Sequence, residues 1–417
     1  MAEVTDMNIR IEIRESMESL LQHKLRTLLT LLGIIFGVGA VIAMLSIGKG
    51  AEQEALQLID SMGLRNIIVK EKVFDEAKLK EVRENSQGLT LQDLGSVRDT
   101  LPFIAHSCAG KQIKTYALFS AQGETEAEVW GVTPSYQSLA NISVTEGRFL
   151  LPLDEHTQSS VCVIGSRVAQ VLFPSQSPLG RPIKINQVWL RVVGVIKDRN
   201  LTRADFQGVA LKGEQNRIYL PLQTALRRFA YRILESEIDE FRIQIEPGES
   251  TQTAAAGIDY LLQKRHKNGD DYEIIVPEAL LAQNRKTQNI FTIVMACIAG
   301  ISLLVGGMGV MNIMLASVLE RTAEIGLRRA LGATERDIKR QFLLETFTVS
   351  SIGGLIGIFF GFALSGAIAF FAGWTVGWSL WAVLLSVGVC SLVGLVFGIY
   401  PAVQASRLNP IEALRHD

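Results

Sequence analysis

The residues of this chain that could do chemistry do not gather. Its five histidines, His23, His106, His156, His266 and His416, stand far apart, and no His-x-x-x-His or Cys-x-x-Cys spacing puts two metal donors on one turn. The carboxylate pairs that could be offered for acid–base work are Asp198 with Asp205 and Asp270 with Asp271. Each lies in a polar stretch and reads as solvated. Gly131 and Gly147-Arg148 read as turn residues. No Gly-x-x-x-x-Gly-Lys-Ser/Thr segment is present to cradle a nucleotide phosphate. The expectation is therefore no catalytic residue, no metal ligand and no cofactor held by this chain. Cys108, Cys162, Cys297 and Cys390 are scattered as well. A bridge between Cys108 and Cys162 needs an oxidising compartment, and two buried free thiols is the reading we favour.

What does concentrate is charge. Arg321, Arg328, Arg329, Arg336, Lys339 and Arg340 crowd into twenty residues, interleaved with Glu320, Glu324, Glu335 and Asp337. Ile325, Leu327, Ala330 and Leu331 lie among them at helical spacing, so the run reads as an amphipathic helix. Gly332 offers a stop, and Thr334-Glu335-Arg336-Asp337 a capping box that opens the next helix. Immediately before this stretch, Ile290 to Leu319 gives thirty residues without a charge, enough to cross a bilayer. Basic residues hard against a span mark its cytoplasmic side. The charged helix is thus expected between two spans, at the inner membrane face, where something cytoplasmic could push on it.

The elements around it follow the same logic. Hydrophobic residues make up 48% of the 417, charged residues 20%, and mean hydropathy is +0.24, which fits a membrane protein with a large soluble part. The net charge of −1 says nothing about partners, since the basic residues are distributed by topology; no nucleic-acid partner is expected. Residues 1–26 are expected to form a cytoplasmic amphipathic helix, with Ile9, Ile13, Met17 and Leu20 on one stripe. Residues 27–48 read as the first span, an uncleaved signal-anchor with Gly33 and Gly37 on one face. After the second span, 287–319, comes the charged region 320–345. The uncharged run from Thr346 to Ser406 is 61 residues long, which suits two spans, 346–372 and 379–401. An outer turn at 373–378 joins them, and Trp374, Trp378 and Trp381 stand where an interfacial aromatic belt belongs. Gly353, Gly357, Gly361 and Ser365 draw a smooth packing face along the third span. A cytoplasmic tail, 402–417, carries Arg407 and Arg415. No span contains an ionisable residue, which disfavours a proton- or ion-coupled transporter.

Residues 49–286 are expected outside the membrane as an α+β domain. The first span's helix should run on to Gly63. Strand Asn66 to Lys72, a charged, mobile piece from Asp75 to Gln87, helix Leu91 to Thr100 capped by Thr90 with Asp93, and a strand pair over Ile104 to Ser120 follow. At the far end strand Glu240 to Ile245, helix Thr251 to Lys264 and strand Tyr272 to Val276 repeat the order. This suggests a split ferredoxin-like subdomain with a β-rich subdomain inserted at about 123–235. Within the insert, Pro182 to Ile185 and Val188 to Ile196 should form a hairpin around Asn186-Gln187.

Several stretches together resemble a known family. Gly306-Gly307-Met308-Gly309-Val310-Met311-Asn312-Ile313-Met314-Leu315, then Glu320-Arg321-Thr322-x-Glu324-Ile325-Gly326-x-Arg328 and Leu331-Gly332-Ala333-Thr334, resemble the FtsX-like domain of MacB-type ABC transporter permeases. Lys24-Leu25-Arg26-Thr27-Leu28-Leu29-Thr30-x-Leu32-Gly33-Ile34-x-x-Gly37-Val38 at the first span and Pro401-Ala402-x-x-Ala405-Ser406-Arg407-Leu408-x-Pro410-Ile411-Glu412-Ala413-Leu414 at the tail agree. MacB itself carries a fused nucleotide-binding domain. This chain starts six residues before its amphipathic helix and resembles the split form, whose ATPase is a separate chain.

The resemblance implies mechanotransmission. Two permease copies would pair through their first and second spans, and two ATPase subunits, holding the ATP and magnesium, would dock beneath. Their motion would reach the outer domains with no substrate passage through the bilayer. Glu320, Arg321, Glu324, Ile325, Gly326, Arg328, Arg329, Gly332, Ala333 and Thr334 would form the ATPase contact. Gly33, Gly37, Gly306, Gly307, Gly309, Gly353, Gly357 and Gly361 would serve helix packing. The function implied is export of an amphiphilic small molecule or peptide from the periplasmic side, with a periplasmic adaptor and an outer-membrane channel. Two alternatives stand beside it: a lipoprotein-release permease, and a signalling permease that controls a cell-wall hydrolase or a sensor kinase.

Overall fold

A computed structural model describes residues 24–121, 123–197, 205–206, 209–210, 214–231, 234–267, 269–372 and 376–413. The expected amphipathic helix before Leu21, the Asp198 carboxylate, Trp374 and Arg415 lie outside them. The chain divides into two compact units, residues up to 53 with 285 onward, and 54–284.

Helix α1, Lys24–Met62, meets no breaker until Gly63, whose φ of +79° ends it in the left-handed region open to glycine. The α+β unit then runs β1 (Asn66–Glu71), α2 (Glu76–Asn85), α3 (Leu91–Thr100), β2 (Ile104–Ile113), β3 (Leu118–Phe119), β4 (Glu128–Val132) and α4 (Tyr136–Leu139). Next come β5 (Val144–Gly147), α5 (Pro152–His156), β6 (Val161–Gly165), α6 (Ser166–Leu172), β7 (Pro182–Ile185), β8 (Val188–Ile196), β9 (Asp205–Phe206) and β10 (Val209–Ala210). It closes with β11 (Arg217–Pro221), α7 (Leu222–Arg228), β12 (Glu240–Ile245), α8 (Thr251–Arg265) and β13 (Tyr272–Ile275).

Strands β13, β1, β12 and β2 are neighbours in that order and all antiparallel, the arrangement of a split ferredoxin-like sheet. Alternation along β12 explains its two faces. Phe241 and Ile243 face the helices, packing with Ile258 and Leu262 of α8 and Leu94 and Val97 of α3. Each such buried side chain contributes roughly 1.5–3 kcal/mol. Apart from the small β9–β10 pair, the β-rich insert does not form a separate sheet. β4 pairs with β2, and the ladder continues through β11, β6, β8 and β7 to β3, giving eleven strands with β5 alongside β8. The β7–β8 hairpin turns at Asn186, with φ of +50°, as its sequence suggested.

Four local expectations are corrected. The segment after Asp75 forms helix α2, held by Arg83, whose guanidinium is buried against Glu71, Ser236, Asp271 and the Leu234 carbonyl. Its apolar content is low because ion pairs, not a hydrophobic stripe, fix it. The Ile104 to Ser120 stretch is one ten-residue strand plus a short β3 that pairs with β7, so it is no hairpin. Gly131 lies inside β4, where a Cβ would meet Ala225 of α7 at 2.2 Å, so it serves close packing rather than a turn. Asp271 is buried, although Asp270 beside it is exposed and bonded to Lys72. The four cysteines are free; Cys108 and Cys162 are buried, and burial pushes the Cys108 thiol up to about 12.

The other unit contains helices long and apolar enough to cross a membrane: α1, α9 (Pro277–Glu320), α11 (Glu335–Ala372) and α12 (Leu380–Ser406). Two short helices, α10 (Thr322–Ala330) and α13 (Pro410–Ala413), lie at its charged end. Gly33 meets Gly306 backbone to backbone, a Cβ at Gly33 lying 2.7 Å from the Gly306 Cα. Gly37 accommodates Leu303, and Gly307 accommodates the Phe397 ring of α12. Gly353, Gly357 and Gly361 receive Ile34, Val38 and Ile42 of α1, while Gly309 is half-buried on α9. The smooth face of the third span is therefore a packing face. At the opposite end, Gly377 N donates to the Ser46 carbonyl at 2.9 Å, and Trp378 stacks on Phe362.

Candidate functional site

Helix α10 has two unlike sides. Ile325 and Gly326 face inward, where Ile325 joins a core with Ile338, Phe342, Ala402 and Ala405. Leu327 and Leu331 face outward and are 52% and 81% exposed, next to Ala323 and Ala330, which are exposed as well. Ile411 of α13, the helix packed on α10, is 76% exposed. This end of the bundle thus shows an apolar stripe to its surroundings, framed by charge.

The charges on α10 are largely satisfied within the chain. Glu324 is held between two guanidiniums, with Oε2 3.0 Å from Arg321 Nε and Oε1 2.8 Å from Arg328 Nη2. Arg321 reaches on to Glu345 at 3.5 Å, a carboxylate that is buried at the charged end of α11. Each exposed pair contributes only about 0.3–0.5 kcal/mol, whereas a partner for the buried Glu345 carboxylate matters more, because burying a charge is costly. Arg329 donates to the Ser406 carbonyl and, at 3.4 Å, to the Leu408 carbonyl. It thereby places a cation on the unsatisfied carbonyls where α12 ends. Glu335 lies 3.8 Å from the same guanidinium.

The corner after α10 is fully hydrogen-bonded. Ala333 N donates to the Arg328 carbonyl and Gly332 N to the Arg329 carbonyl, both at 3.1 Å, the two bonds of a Schellman motif. Gly332 takes the left-handed conformation that motif requires, with φ of +105°. Thr334 and Asp337 then close a reciprocal capping box: Thr334 N donates to Asp337 Oδ2 at 2.9 Å and Asp337 N to Thr334 Oγ1 at 3.4 Å. No residue between the helix stop and the next cap is left loose. The corner between α10 and α11 is thus closed by backbone and cap hydrogen bonds.

The residues expected to form one contact surface divide accordingly. Glu320, Gly332 and Thr334 are exposed, Arg321, Glu324, Arg328, Arg329 and Ala333 are half-buried, and Ile325 and Gly326 point into the bundle. Leu327 and Leu331 were not singled out as contact residues. A helical wheel would have found them, because they lie about 200° and 240° around from Ile325.

In the α+β unit the polar groups form closed networks instead. His266 Nδ1 lies 2.9 Å from both Asp271 oxygens and its Nε2 3.4 Å from Asp93, with Ser86 Oγ donating to Asp271 at 2.5 Å. Burial alone would lower the His266 pKa, but the hydrogen bonds and charges of Asp271 and Asp93 outweigh it and raise it to about 9. A second network joins Glu240, Arg242 and Tyr136, where burial opposes and Arg242 chiefly enforces ionisation of Glu240. The Ser86, His266 and Asp271 trio carries the residue types of a hydrolase, but all three are buried under one another and serve to clamp α2 to α8 and β13.

Comparison with known proteins places these features. Residues 27–261 match the MacB-like periplasmic core domain, and residues 296–410 the FtsX-like permease C-terminal domain. A macrolide export ATP-binding/permease protein, MacB of Bdellovibrio bacteriovorus, is 34% identical over 416 residues, covering 97% of this chain and 61% of the relative. The uncharacterized ABC transporter permease YknZ of Bacillus subtilis is 33% identical over 411 residues, covering 99% of this chain and 100% of the relative. The chain thus spans about three-fifths of the first and the whole of the second. The crystal structure of the periplasmic region of MacB from Actinobacillus actinomycetemcomitans aligns with a TM-score of 0.44 at 18% identity, over 55% of this chain and 97% of that one.

Proposed function

This chain belongs to the MacB-type family of FtsX-like permeases, and from that premise we propose that it is the membrane subunit of an ABC exporter driven by a separate ATPase chain. Two permease copies and two ATPase subunits make the working unit, with both chain termini and α10 on the cytoplasmic side. The ATPase takes the exposed apolar stripe of α10. ATP binding and hydrolysis there move the bundle, and the motion is delivered to the α+β unit as mechanical work on an amphiphilic small molecule or peptide. An adaptor and an outer-membrane channel complete the path.

The observation that carries this reading is the division of α10. Its inner side is anchored by Ile325 and Arg329, its outer side presents Leu327 and Leu331, and a rigid corner leads to α11. Exposed leucines at helical spacing beside paired charges suit an apolar socket with a polar rim better than they suit water. The direct test is co-purification of the permease with its ATPase and the ATPase rate of the reconstituted complex. Leu331→Asp and Leu327→Asp should release the ATPase or abolish permease control of its rate. Glu324→Lys, which sets a third cation beside Arg321 and Arg328, should do the same, as should Arg328→Glu. Variants that all assemble and regulate hydrolysis like wild type would sink the proposal.

A further inference from the structure

The large sheet of the α+β unit ends at β13, and one side of that strand is unpaired. Lys72 N donates to the Asp271 carbonyl at 2.9 Å, and the register carries this pairing on through Lys70 with Glu273 and Ile68 with Ile275. In an antiparallel ladder alternate residues turn their backbone groups to opposite sides. Tyr272 and Ile274 therefore turn their N–H and C=O groups away from β1, and no described strand pairs with that side. Such a row is a template for one more strand. Helix α8 stands over it and leaves a groove of about 560 Å³. The helix wall is Ala255, Ala256, Asp259 and Gln263, and its two alanines keep the groove open. Thr251 of α8 donates to Glu278 at 2.6 Å and ties the two walls together at one end. The strand spans about 13 Å and the helix stripe about 12 Å, room for an extended segment of roughly four residues.

The groove is also acidic. Asp259 is half-buried, and both its oxygens are held by neutral donors, the Tyr272 hydroxyl at 2.8 Å and the Gln263 amide at 2.9 Å. No cation pairs with it among the described residues. Asp270 and Glu273 add exposed carboxylates along the same strand edge, and none of the residues lining the groove is basic. We propose that an extended segment of a partner protein, carrying at least one lysine or arginine, adds to β13 as a further strand in this groove. Main-chain bonds to Tyr272 and Ile274 supply the affinity, and the carboxylates select the side chain. A second copy of β13 suits the groove poorly, because self-pairing sets the acidic residues of two chains beside each other, and like charges across a strand pair repel. An amphiphile has less to gain, since what the groove offers is backbone hydrogen bonds and carboxylates. Only the outer placement of the α+β unit is taken from the function proposed above. The test needs no ATPase, so failure here leaves that function untouched.

The experiment uses the full chain in lipid nanodiscs and a short labelled peptide of alternating valine and lysine. Fluorescence anisotropy should show saturable binding, and hydrogen exchange should show new protection of the β13 amides. The same peptide with its amides N-methylated should bind at least about 5-fold more weakly, a comparison that alters nothing in the protein. Asp259→Asn, which keeps a partner for the Tyr272 hydroxyl, and Glu273→Gln should each weaken binding about 2- to 5-fold. Ala256→Trp, which fills the groove from an exposed position, should abolish binding, and a peptide of alternating valine and glutamate should not bind. Binding that survives N-methylation or Ala256→Trp overturns the proposal, as does the absence of saturable binding. So does protection of the β13 amides before any peptide is added, if it is lost on diluting the chain, since a second copy would then hold the edge.

Discussion

The two units of this protein treat polar groups in opposite ways. The α+β unit buries charges and closes them into networks, such as Asp93–His266–Asp271–Arg83 and Glu240–Arg242–Tyr136. The helical bundle buries almost none, setting its ion pairs at one end and using glycine contacts along its length. A buried network is directional and fails when one member goes. Glycine contacts are shallow and alike along a helix, so neighbouring spans can shift without a large penalty at any one place. The difference is the one expected if, as proposed above, the α+β unit keeps its shape while the bundle moves.

Removing a network member should give the largest effect. Asp271→Ala leaves Arg83 and His266 without their buried carboxylate and should cost about 3–5 kcal/mol, lowering the Tm of the full-length protein by about 10 °C. A fall of less than a degree would mean that the clamp is ornamental. A pH series sharpens the same point. His266 has a folded pKa of about 9, above its unfolded value near 6.5, so the stability it contributes is full below pH 6.5 and is lost as pH rises to 9 and beyond. The loss should be up to about 3 kcal/mol. Asp93 and Asp271 are both held below the usual carboxylate range, burial opposing the shift and hydrogen bonds including those from His266 enforcing it, so a second loss is expected as pH falls below 4. His266→Gln should flatten the alkaline limb and shrink the acidic one as well, since the His266 hydrogen bonds are the leading cause that holds both carboxyls down.

In the bundle the expected costs are smaller and more local. Gly306→Leu forces a side chain against the Gly33 backbone, where a Cβ already lies within 2.9 Å, and should destabilise the bundle by about 1–3 kcal/mol. Gly300→Ala, with nothing within 4 Å of the new methyl, is the silent control. Unfolding in mixed detergent micelles measures both. Smallest of all, Leu331→Asp should change stability by no more than about 0.5 kcal/mol, since its side chain touches solvent. Its loss of ATPase coupling would then be a contact effect and not an unfolding one.

What the sequence made legible tracks the physics of each part. The spans, the helix stop at Gly332, the capping boxes at Thr90 and Thr334, and the strands of the ferredoxin-like sheet all leave local marks: apolar runs, glycine, cap residues and period-two alternation. Helix α2 left a misleading one. Lys78, Lys80, Arg83 and the glutamates around them look like a solvated segment, because nothing local says that Arg83 will meet Asp271, 188 residues further on. For the same reason Asp271 could not be told from Asp270. At the charged helix the residue types were legible but their directions were not: Gly326, expected at the contact, is buried, and Leu331, not singled out for it, is exposed.

The Arg329 bonds to the Ser406 and Leu408 carbonyls have one further consequence. Helix α10 is joined by the chain only to α9 and α11, yet through this side chain it also grips the end of α12. It is tied to three helices rather than two. If α10 is the handle proposed above, a tug on it would draw the fourth span along, and Arg329→Met would keep the volume and cut the cord: the handle would still be grasped, but part of the stroke would be lost before it left the membrane.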